Sequence, residues 1–279
     1  MSTAPVPYDV GPHLLVEADG PVRIVRLNRP EALNATNHEL HRGLAGLWPQ
    51  LDADAEARAV VLTGNGKAFS AGGDFTYLDE LARDEDLRRV TLAHGRQIVT
   101  GMVACRMPVI AAVNGPAVGL GCSLVALSDV VFMAESAHLA DPHVMVGLVA
   151  ADGGPVTWPL LTSLQLAKEY AFTGDRIPAT RAAEIGLVNH VCPDDEVFAR
   201  AMACAQRIAG LPAQAVQDTK RILNLQLERA VLGAIDFALS AEDRSFGSPE
   251  LRANLDRLLA PKEPKEPKEP KEPKEPKGS

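Results

Sequence analysis

The sequence has few aromatic residues and few cysteines. Phe, Trp and Tyr make up 4% of its 279 residues, so we expect a core of aliphatic side chains and alanine. The cysteines form no CxxC pair and lack the spacing of a zinc site, since they lie far apart at Cys105, Cys122, Cys192 and Cys204. This usage predicts reduced, mostly buried thiols in a cytoplasmic protein, and no metal site.

The sequence also lacks a secretory signal, a membrane-spanning run and an excess of positive charge. Its first residues have no basic segment followed by an apolar one, and an apolar stretch such as Met107 to Val113 is too short to cross a bilayer. The formal charge is −8, whereas binding to nucleic acid needs clustered Lys and Arg. We therefore expect a cytoplasmic protein whose partners include no membrane and no nucleic acid.

The chain divides by pattern into three segments. Residues 1–200 alternate strands with helices, which is typical of a mainly parallel sheet covered by helices. Residues 201–260 have a helical pattern, and residues 261–279 contain a Pro-Lys-Glu repeat. Because that repeat has proline at every third position and no apolar side chain, we expect a disordered or extended tail.

The individual elements follow from periodicity and turn residues. A hairpin is predicted at Asp19-Gly20-Pro21, between strands at Leu14–Glu17 and Val22–Leu27. Further strands are predicted at Ala59–Leu62, Val109–Val113 and Val130–Ala134. Helices are predicted at Asn34 to Leu51, Leu87 to Ala104, Gly121–Leu127, Gln165–Thr173, Thr180–Ile185, Val197–Ala209, Ala213–Leu225 and Glu228–Phe246.

Two glycine-rich segments follow predicted strands. They read GNGKAFSAGGD, residues 64–74, and NGPAVGLGCSL, residues 114–124. Glycine lets a peptide N–H approach a ligand closely, and a helix N-terminus stabilises an oxygen that develops negative charge. Neither segment is a Walker loop or a GxGxxG dinucleotide loop. Each segment alone is equally consistent with an ordinary turn.

Three blocks of the sequence together resemble the enoyl-CoA hydratase/isomerase (crotonase) superfamily. They are KAFSAGGDF, PVIAAVNGPAVGLGCSLVALSD and FTGDRIPATRAAEIGLVNHV, in the family's order, within a resemblance over about residues 14–259. It implies an α/β fold, a crotonase-like ββα spiral with a helical C-terminal trimerisation region. It also implies a homotrimer or dimer of trimers, an acyl-CoA substrate and no separate cofactor.

The resemblance further implies an oxyanion hole for the substrate carbonyl. In the family two backbone N–H groups polarise the thioester, and they correspond to Gly73 and Leu120 here. Leu120 stands where glycine is common, but the side chain matters less because the donor is a backbone group. Each such donor stabilises an oxyanion by about 3–4 kcal/mol. Further contacts to substrate or CoA are expected at Ala32, Ala71, Gly121, Lys67 and Arg29.

The family's two catalytic glutamates are absent from this sequence. Hydratases of the family carry one in the helix after the second glycine-rich segment and another further along the chain, and these positions fall on Ser123 and His143. A serine cannot serve as a carboxylate base at neutral pH, so the two-glutamate hydration mechanism is excluded. Asp74, beside the first segment, is predicted to cap or brace the structure.

His143 offers a replacement for the missing bases. An imidazole has an ordinary pKa near about 6.5, and a carboxylate, here predicted to be Asp152, fixes its tautomer. The alternative is a structural histidine beside an Asp152 that caps a helix. Residues 142–159 also resemble 6-oxocamphor hydrolase, a crotonase-fold enzyme that cleaves a C–C bond in a cyclic β-diketone with a His/Asp pair. A late glutamate contributes there, and Glu242 is the nearest match.

Three functions are compatible with these features. The leading hypothesis is a lyase or isomerase that acts on a CoA thioester, with His143 and Asp152 moving protons. The second is a C–C hydrolase of the diketone type in which His143 activates water. The third, favoured by the missing glutamates, is a protein that binds acyl-CoA without catalysis.

Overall fold

A seven-stranded sheet forms the centre of the computed structural model, which describes residues 4–5 and 8–260. The first strands pair antiparallel, and every pair from β3 onward is parallel. β4 and β5 are buried along their whole length, as expected for parallel strands between layers of helices. In sheet order the strands are β1 (Ala4–Pro5), β2 (Leu14–Asp19), β3 (Val22–Leu27), β4 (Ala59–Gly64), β5 (Val109–Val113), β7 (Val130–Ala134) and β10 (His190–Cys192).

A second, three-stranded sheet places the two chemically interesting segments side by side. It consists of β6 (Ala117–Val118), β8 (His138–Ala140) and β9 (Ile177–Pro178), in that order. β6 and β8 are parallel, with Val118 opposite Ala140. Because parallel strands end at the same edge, the residues after β6 and after β8 emerge next to each other.

The helices cover the sheet and extend beyond it. Several begin with a side chain that accepts a backbone N–H, as Asn37, Asp84, Ser163 and Ser248 do. A short 3-10 turn covers Pro30–Ala32. The helices are α1 (His38–Ala53), α2 (Phe75–Arg83), α3 (Glu85–Ala104), α4 (Leu120–Ala126), α5 (His143–Val146), α6 (Gly154–Leu161), α7 (Leu164–Thr173), α8 (Ala179–Glu184), α9 (Val197–Ala209), α10 (Ala213–Ser245) and α11 (Pro249–Leu259).

The structure confirms the α/β alternation and corrects some boundaries. α1 begins at His38 rather than Asn34, because Leu33 and Asn34 have left-handed φ values of 53° and 56° and Asn37 caps the helix. The two helices predicted between Ala213 and Phe246 form one helix of 33 residues, since no glycine or proline interrupts residues 226–227. α2 and α5 were not predicted, α6 was considered only as a helix that Asp152 would cap, and α11 lies in the predicted helical region 201–260 without predicted bounds of its own.

The core lies between the main sheet and α1, α3 and α9. It is aliphatic and alanine-rich as predicted, with Trp48, Trp158 and Phe69 as its largest fully buried aromatic side chains. The four cysteines are free, and three of them are buried. A smaller apolar cluster connects α2 with α11 and contains Tyr77, Leu81, Leu148, Phe246, Leu251 and Leu255.

Three sequence predictions concern the C-terminal tail, the domain boundary near residue 200 and membrane-spanning helices. The Pro-Lys-Glu tail, residues 261–279, lies outside the described residues. The predicted boundary near residue 200 falls inside α9 (Val197–Ala209). Among the described helices, none has the length and apolar character needed to cross a membrane.

Candidate active site

One cavity brings together five residues that the sequence analysis singled out. Gly73, Leu120, His143, Asp152 and Glu242 all line it. A concave site that combines a few polar groups with an apolar wall is typical of small-molecule binding. The rest of its wall is mainly apolar, with contributions from Leu78, Leu81, Leu92, Leu239 and Phe246.

The two predicted oxyanion-hole donors are brought together by backbone pairing. The N–H of Val118 donates to Ser70 O at 2.9 Å, so the first glycine-rich segment lies beside β6. Gly72 has φ 90°, and a Cβ there would lie 3.1 Å from Val118 O, so only glycine permits this approach. The segment therefore places Gly73 next to the N-terminus of the helix that begins at Leu120.

The N–H groups of Gly73 and Leu120 are available to a ligand. Leu120 is the first residue of α4, ahead of the first intrahelical hydrogen bond. Within residues 8–260, neither N–H donates to another backbone group. Both residues line the cavity, and two N–H donors that converge on a carbonyl oxygen stabilise it as it becomes negative.

His143 lies between two aspartates. Its Nδ1 is hydrogen-bonded to Oδ1 of Asp141, and its Nε2 is 3.5 Å from Oδ2 of Asp152. The side chain of Asp141 is 2% exposed and that of Asp152 is 13% exposed. His143 and Asp152 line the cavity, whereas Asp141 lies behind the imidazole.

Asp141 is the residue that sequence reasoning missed. Asp152 was predicted to be the carboxylate that fixes the imidazole, but Asp141 makes the closer contact with His143. Asp141 follows directly after β8 and His143 begins α5, so both leave one strand end within a single turn. The Asp-x-His spacing after a short strand was the signal in the sequence.

Ser123 holds Asp152 in place. Its Oγ donates to Oδ1 of Asp152 at 2.6 Å, while Ser123 itself is 1% exposed and does not line the cavity. The alternative that Asp152 caps a helix is wrong, because α6 follows Gly153 and has no side-chain cap. Ser123 is therefore placed to act through Asp152 and not on a substrate directly.

The electrostatics of the cluster follow from burial and proximity. Burial lowers the pKa of His143, but Asp141 and Asp152 outweigh it and raise that pKa to about 10. Burial raises the pKa of Asp141, but the charge of His143 reverses the effect and leaves it below its ordinary value. The pKa of Asp152 is raised, chiefly by burial. Burial also raises the pKa of Glu242 to about 8.

These shifts change the role expected for His143. With an ordinary pKa it would be a neutral base at pH 7, but between two aspartates it is an imidazolium and therefore a proton donor. The raised pKa of Glu242, about 8, favours its protonated form at neutral pH. Asp152 faces both Nε2 and the cavity and is therefore placed to accept a proton.

The other predicted contact residues do not line this cavity. Arg29 Nη1 lies 2.7 Å from Asp74 Oδ2 and donates to Ala35 O, and Asp74 also accepts from the N–H of Thr76 at the start of α2. The capping and bracing role of Asp74 is thus confirmed. Lys67 is exposed, and the predicted contacts of Arg29 and Lys67 with CoA stay predictions.

Ala32, Ala71 and Gly121 shape the segments around the cavity. Ala32 ends the short 3-10 turn, and the N–H of Ala71 donates to Leu33 O at 2.9 Å. A Cβ on Gly121 would lie 2.7 Å from Cβ of Ser70, so glycine permits the close contact between the two glycine-rich segments. The predicted substrate contacts of these three residues remain predictions.

The cluster also has the dimensions of a metal site. Ligand-type atoms of Asp141, His143 and Asp152 lie within 4.8 Å of one another, and they form the one such set in the described part of the chain. Their contacts with each other are a hydrogen bond and an ion pair. The absence of a metal, expected from the sequence, stays a prediction.

Comparison with known proteins supports the assignment of the fold. A short-chain-enoyl-CoA hydratase from Clostridium acetobutylicum is 33% identical over 236 residues, which cover 84% of this chain and 88% of that protein. The crystal structure of an enoyl-CoA hydratase/isomerase from Mycobacterium paratuberculosis is 62% identical, with a TM-score of 0.88 over 90% of this chain and all of that one.

A third similar protein carries a different activity in its name. A β-diketone hydrolase from the cyanobacterium Anabaena, solved with (S)-3-oxocyclohexyl acetic acid, is 27% identical with a TM-score of 0.79 over 85% of this chain and 95% of that one. The characteristic sequence pattern of the family Enoyl-CoA hydratase/isomerase matches residues 17–255. The chain therefore belongs to the enoyl-CoA hydratase/isomerase (crotonase) family.

Proposed function

We propose that this protein is a lyase or isomerase that acts on an acyl-CoA thioester, and that isomerisation by a proton shift along the acyl chain is the reaction that its site supports best. The observation that carries the proposal is that Gly73 and Leu120, whose N–H groups donate to no backbone group among the described residues, line one cavity with His143, Asp152 and Glu242. A proton donor and a proton acceptor beside an oxyanion hole are the groups that enolate chemistry needs.

The proposed reaction uses the oxyanion hole, Asp152 and His143. The thioester oxygen accepts hydrogen bonds from Gly73 and Leu120, which stabilise the enolate by about 3–4 kcal/mol each. Asp152 removes a proton from the carbon next to the carbonyl. His143 then delivers its Nε2 proton to another carbon of the enolate, and the proton on Asp152 restores the imidazolium. No water is added, in keeping with Ser123 at the first glutamate position.

Binding without catalysis is a weaker proposal for this cavity. One imidazole and three carboxyl groups lie together, Asp141 buried and the others partly buried, and removing ionisable groups from water costs free energy that an apolar wall would not. Perturbed pKa values of opposite direction within one cleft are typical of catalytic sites. The missing glutamates are thus better explained by a changed set of catalytic groups.

A second candidate reaction is hydrolytic C–C cleavage of a β-diketone. The similar structure of a β-diketone hydrolase and the presence of Glu242 beside His143 and Asp152 favour it. In this reaction Asp152 takes a proton from water, and the water oxygen bonds to one carbonyl carbon. The C–C bond then breaks with its electron pair on the enolate carbon, which is protonated by His143. The products are a carboxylic acid and a ketone.

A parallel assay separates these functions. The purified protein is incubated in D₂O with 3-hexenoyl-CoA and, separately, with cyclohexane-1,3-dione, and the products are analysed by mass spectrometry. Conversion to 2-hexenoyl-CoA with incorporation of deuterium supports the leading proposal. Formation of 5-oxohexanoic acid supports the second. Tight binding of 3-hexenoyl-CoA without turnover or exchange would contradict both and favour a binding protein.

We also propose that the protein assembles as a homotrimer or a dimer of trimers in the cytoplasm. α10 (Ala213–Ser245) is about 50 Å long at 1.5 Å per residue, yet only four of its residues are buried in the single chain. Its exposed side chains include Ile222, Leu223, Leu232 and Phe237 at 57–75% exposure. An apolar surface of this kind is a signature of contact between subunits.

A further inference from the structure

Asp141 is a buried carboxylate directly behind the catalytic imidazole. It follows β8, is 2% exposed and does not line the cavity. Its Oδ1 is hydrogen-bonded to Nδ1 of His143 and lies 3.5 Å from the backbone N of His143. With Nδ1 held from behind, the other nitrogen, Nε2, faces Asp152.

Gly154 makes room for this arrangement, and Gly119 lies in contact with the imidazole. A Cβ on Gly154 would lie 2.8 Å from Oδ2 of Asp141, closer than real Cβ atoms come to another atom. A Cβ on Gly119, which has φ 54°, would lie 3.6 Å from Cε1 of His143. Gly154 therefore leaves the space that the carboxylate fills, while Gly119 turns the chain from β6 into α4 against the ring.

Asp152 is less suited to orienting the imidazole. Its Oδ1 accepts from Ser123 at 2.6 Å, and its Oδ2 is 3.5 Å from Nε2, at the limit of hydrogen bonding. It also faces the cavity, where a substrate would approach. The two aspartates thus differ in burial, in contact with the ring and in access to a ligand.

We propose that Asp141 is the positioning residue of the site, which fixes His143 with a proton on Nδ1 and directs Nε2 towards Asp152 and the cavity. The consequence for catalysis rests on the proposed function, in which Nε2 donates a proton. Asp141 then orients the imidazole, and Asp152 acts as the proton acceptor. A buried carboxylate behind a histidine sets both its tautomer and its orientation.

Proton NMR tests the positioning role without any substrate. At pH 7 we expect a strongly downfield resonance from the Nδ1 proton of His143, and His143→Gln assigns it by removing it. Asp141→Asn should abolish or strongly shift this resonance, whereas Asp152→Asn should retain it. Retention in Asp141→Asn together with loss in Asp152→Asn would overturn the proposal. The groups that face His143 are Asp141, Asp152 and Glu242.

Two further variants separate positioning from general destabilisation. Asp54→Asn neutralises another partly buried carboxylate, which accepts from Arg23 at 2.7 Å and does not line the cavity. It should leave the resonance unchanged. Gly154→Ala adds one carbon beside Oδ2 of Asp141 and removes no polar atom. A shifted resonance in folded Gly154→Ala supports the proposal, even where Asp141→Asn fails to fold, and an unshifted one would overturn it.

Kinetics then measure the catalytic consequence with whichever probe is turned over, 3-hexenoyl-CoA or cyclohexane-1,3-dione. Because Asp141 does not line the cavity, Asp141→Asn should lower kcat by roughly 10²–10⁴-fold with KM changed by less than about threefold. A large rise in KM at unchanged kcat would overturn the positioning role. If neither probe reacts, the proposed function fails, and the NMR comparison still decides where His143 is held.

Discussion

The hydroxyl of Ser123 donates a 2.6 Å hydrogen bond to Asp152, so the residue at the position expected for the family's first glutamate holds a carboxylate instead of supplying one. Asp152 lies in the segment before α6 and lines the cavity. A site without glutamate at the two expected positions therefore still has a carboxylate in its cavity.

Ser123→Ala should lower the activity of the site while the protein stays folded. Loss of a hydrogen bond to a charged group costs about 1.5–3 kcal/mol, so we expect kcat to fall by roughly 10–100-fold. Because the Ser123 hydrogen bond lowers the pKa of Asp152, the acidic limb of the pH–rate profile should move to higher pH. A profile identical to that of the wild-type enzyme would contradict a role for Ser123 in holding Asp152.

Glu242 gives a prediction about stability and pH. Its pKa is about 8 in the folded protein and 4.5 ordinarily, so between these values the folded state binds a proton that the unfolded state has lost. Its contribution to stability is therefore complete below about pH 4.5 and is lost as the pH rises towards 8. Relative to Glu242→Gln, the wild-type protein should lose unfolding free energy between pH 5 and 8, measured by denaturant titration. A parallel pH dependence of the two proteins would contradict the burial of this carboxyl.

The exposed apolar surface predicts a specific oligomer. Static light scattering should give about 89 kDa, three times the chain mass of 29.7 kDa, or twice that value for a dimer of trimers. Phe237→Glu places a charge where a phenylalanine is 75% exposed in the single chain and should shift the population towards monomer. A wild-type mass near 30 kDa at micromolar concentration would contradict the assembly.

Chelation tests the expectation that the acidic cluster holds no metal. Dialysis against EDTA should leave turnover and thermal stability unchanged, because Asp141 and Asp152 are engaged by His143 and Ser123. Elemental analysis of the untreated protein serves as the control. Loss of activity that is restored by one divalent cation would assign Asp141, His143 and Asp152 to a metal.

Sequence patterns predicted the elements that local chemistry determines. The strand Val109–Val113 and the helix Val197–Ala209 agree residue for residue with the structure, since buried apolar runs and helical spacing define them. The single 33-residue helix was divided because its apolar residues follow no regular stripe in one chain. Such a pattern is expected where a helix contacts both its own core and other subunits.

The site was only partly predictable for a different reason. Gly73, Leu120, His143, Asp152 and Glu242 were all identified from the sequence, and all five line one cavity. The contact of Asp141 and the raised pKa of His143 could not be predicted, because both depend on distances between side chains. The contact between Asp141 and the imidazole depends on the turn after β8 and on the space at Gly154.

The central claim is that this cavity performs proton transfer through His143, and one pair of variants tests it most directly. His143→Gln should reduce kcat on the probe that is turned over by roughly 10²–10⁴-fold while folding, monitored by circular dichroism, stays intact. His94→Gln, which changes a histidine that does not line the cavity, is the matched control and should keep most of the activity. Wild-type kcat in His143→Gln would contradict the account and transfer the proton chemistry to Glu242 or to no residue of this cavity.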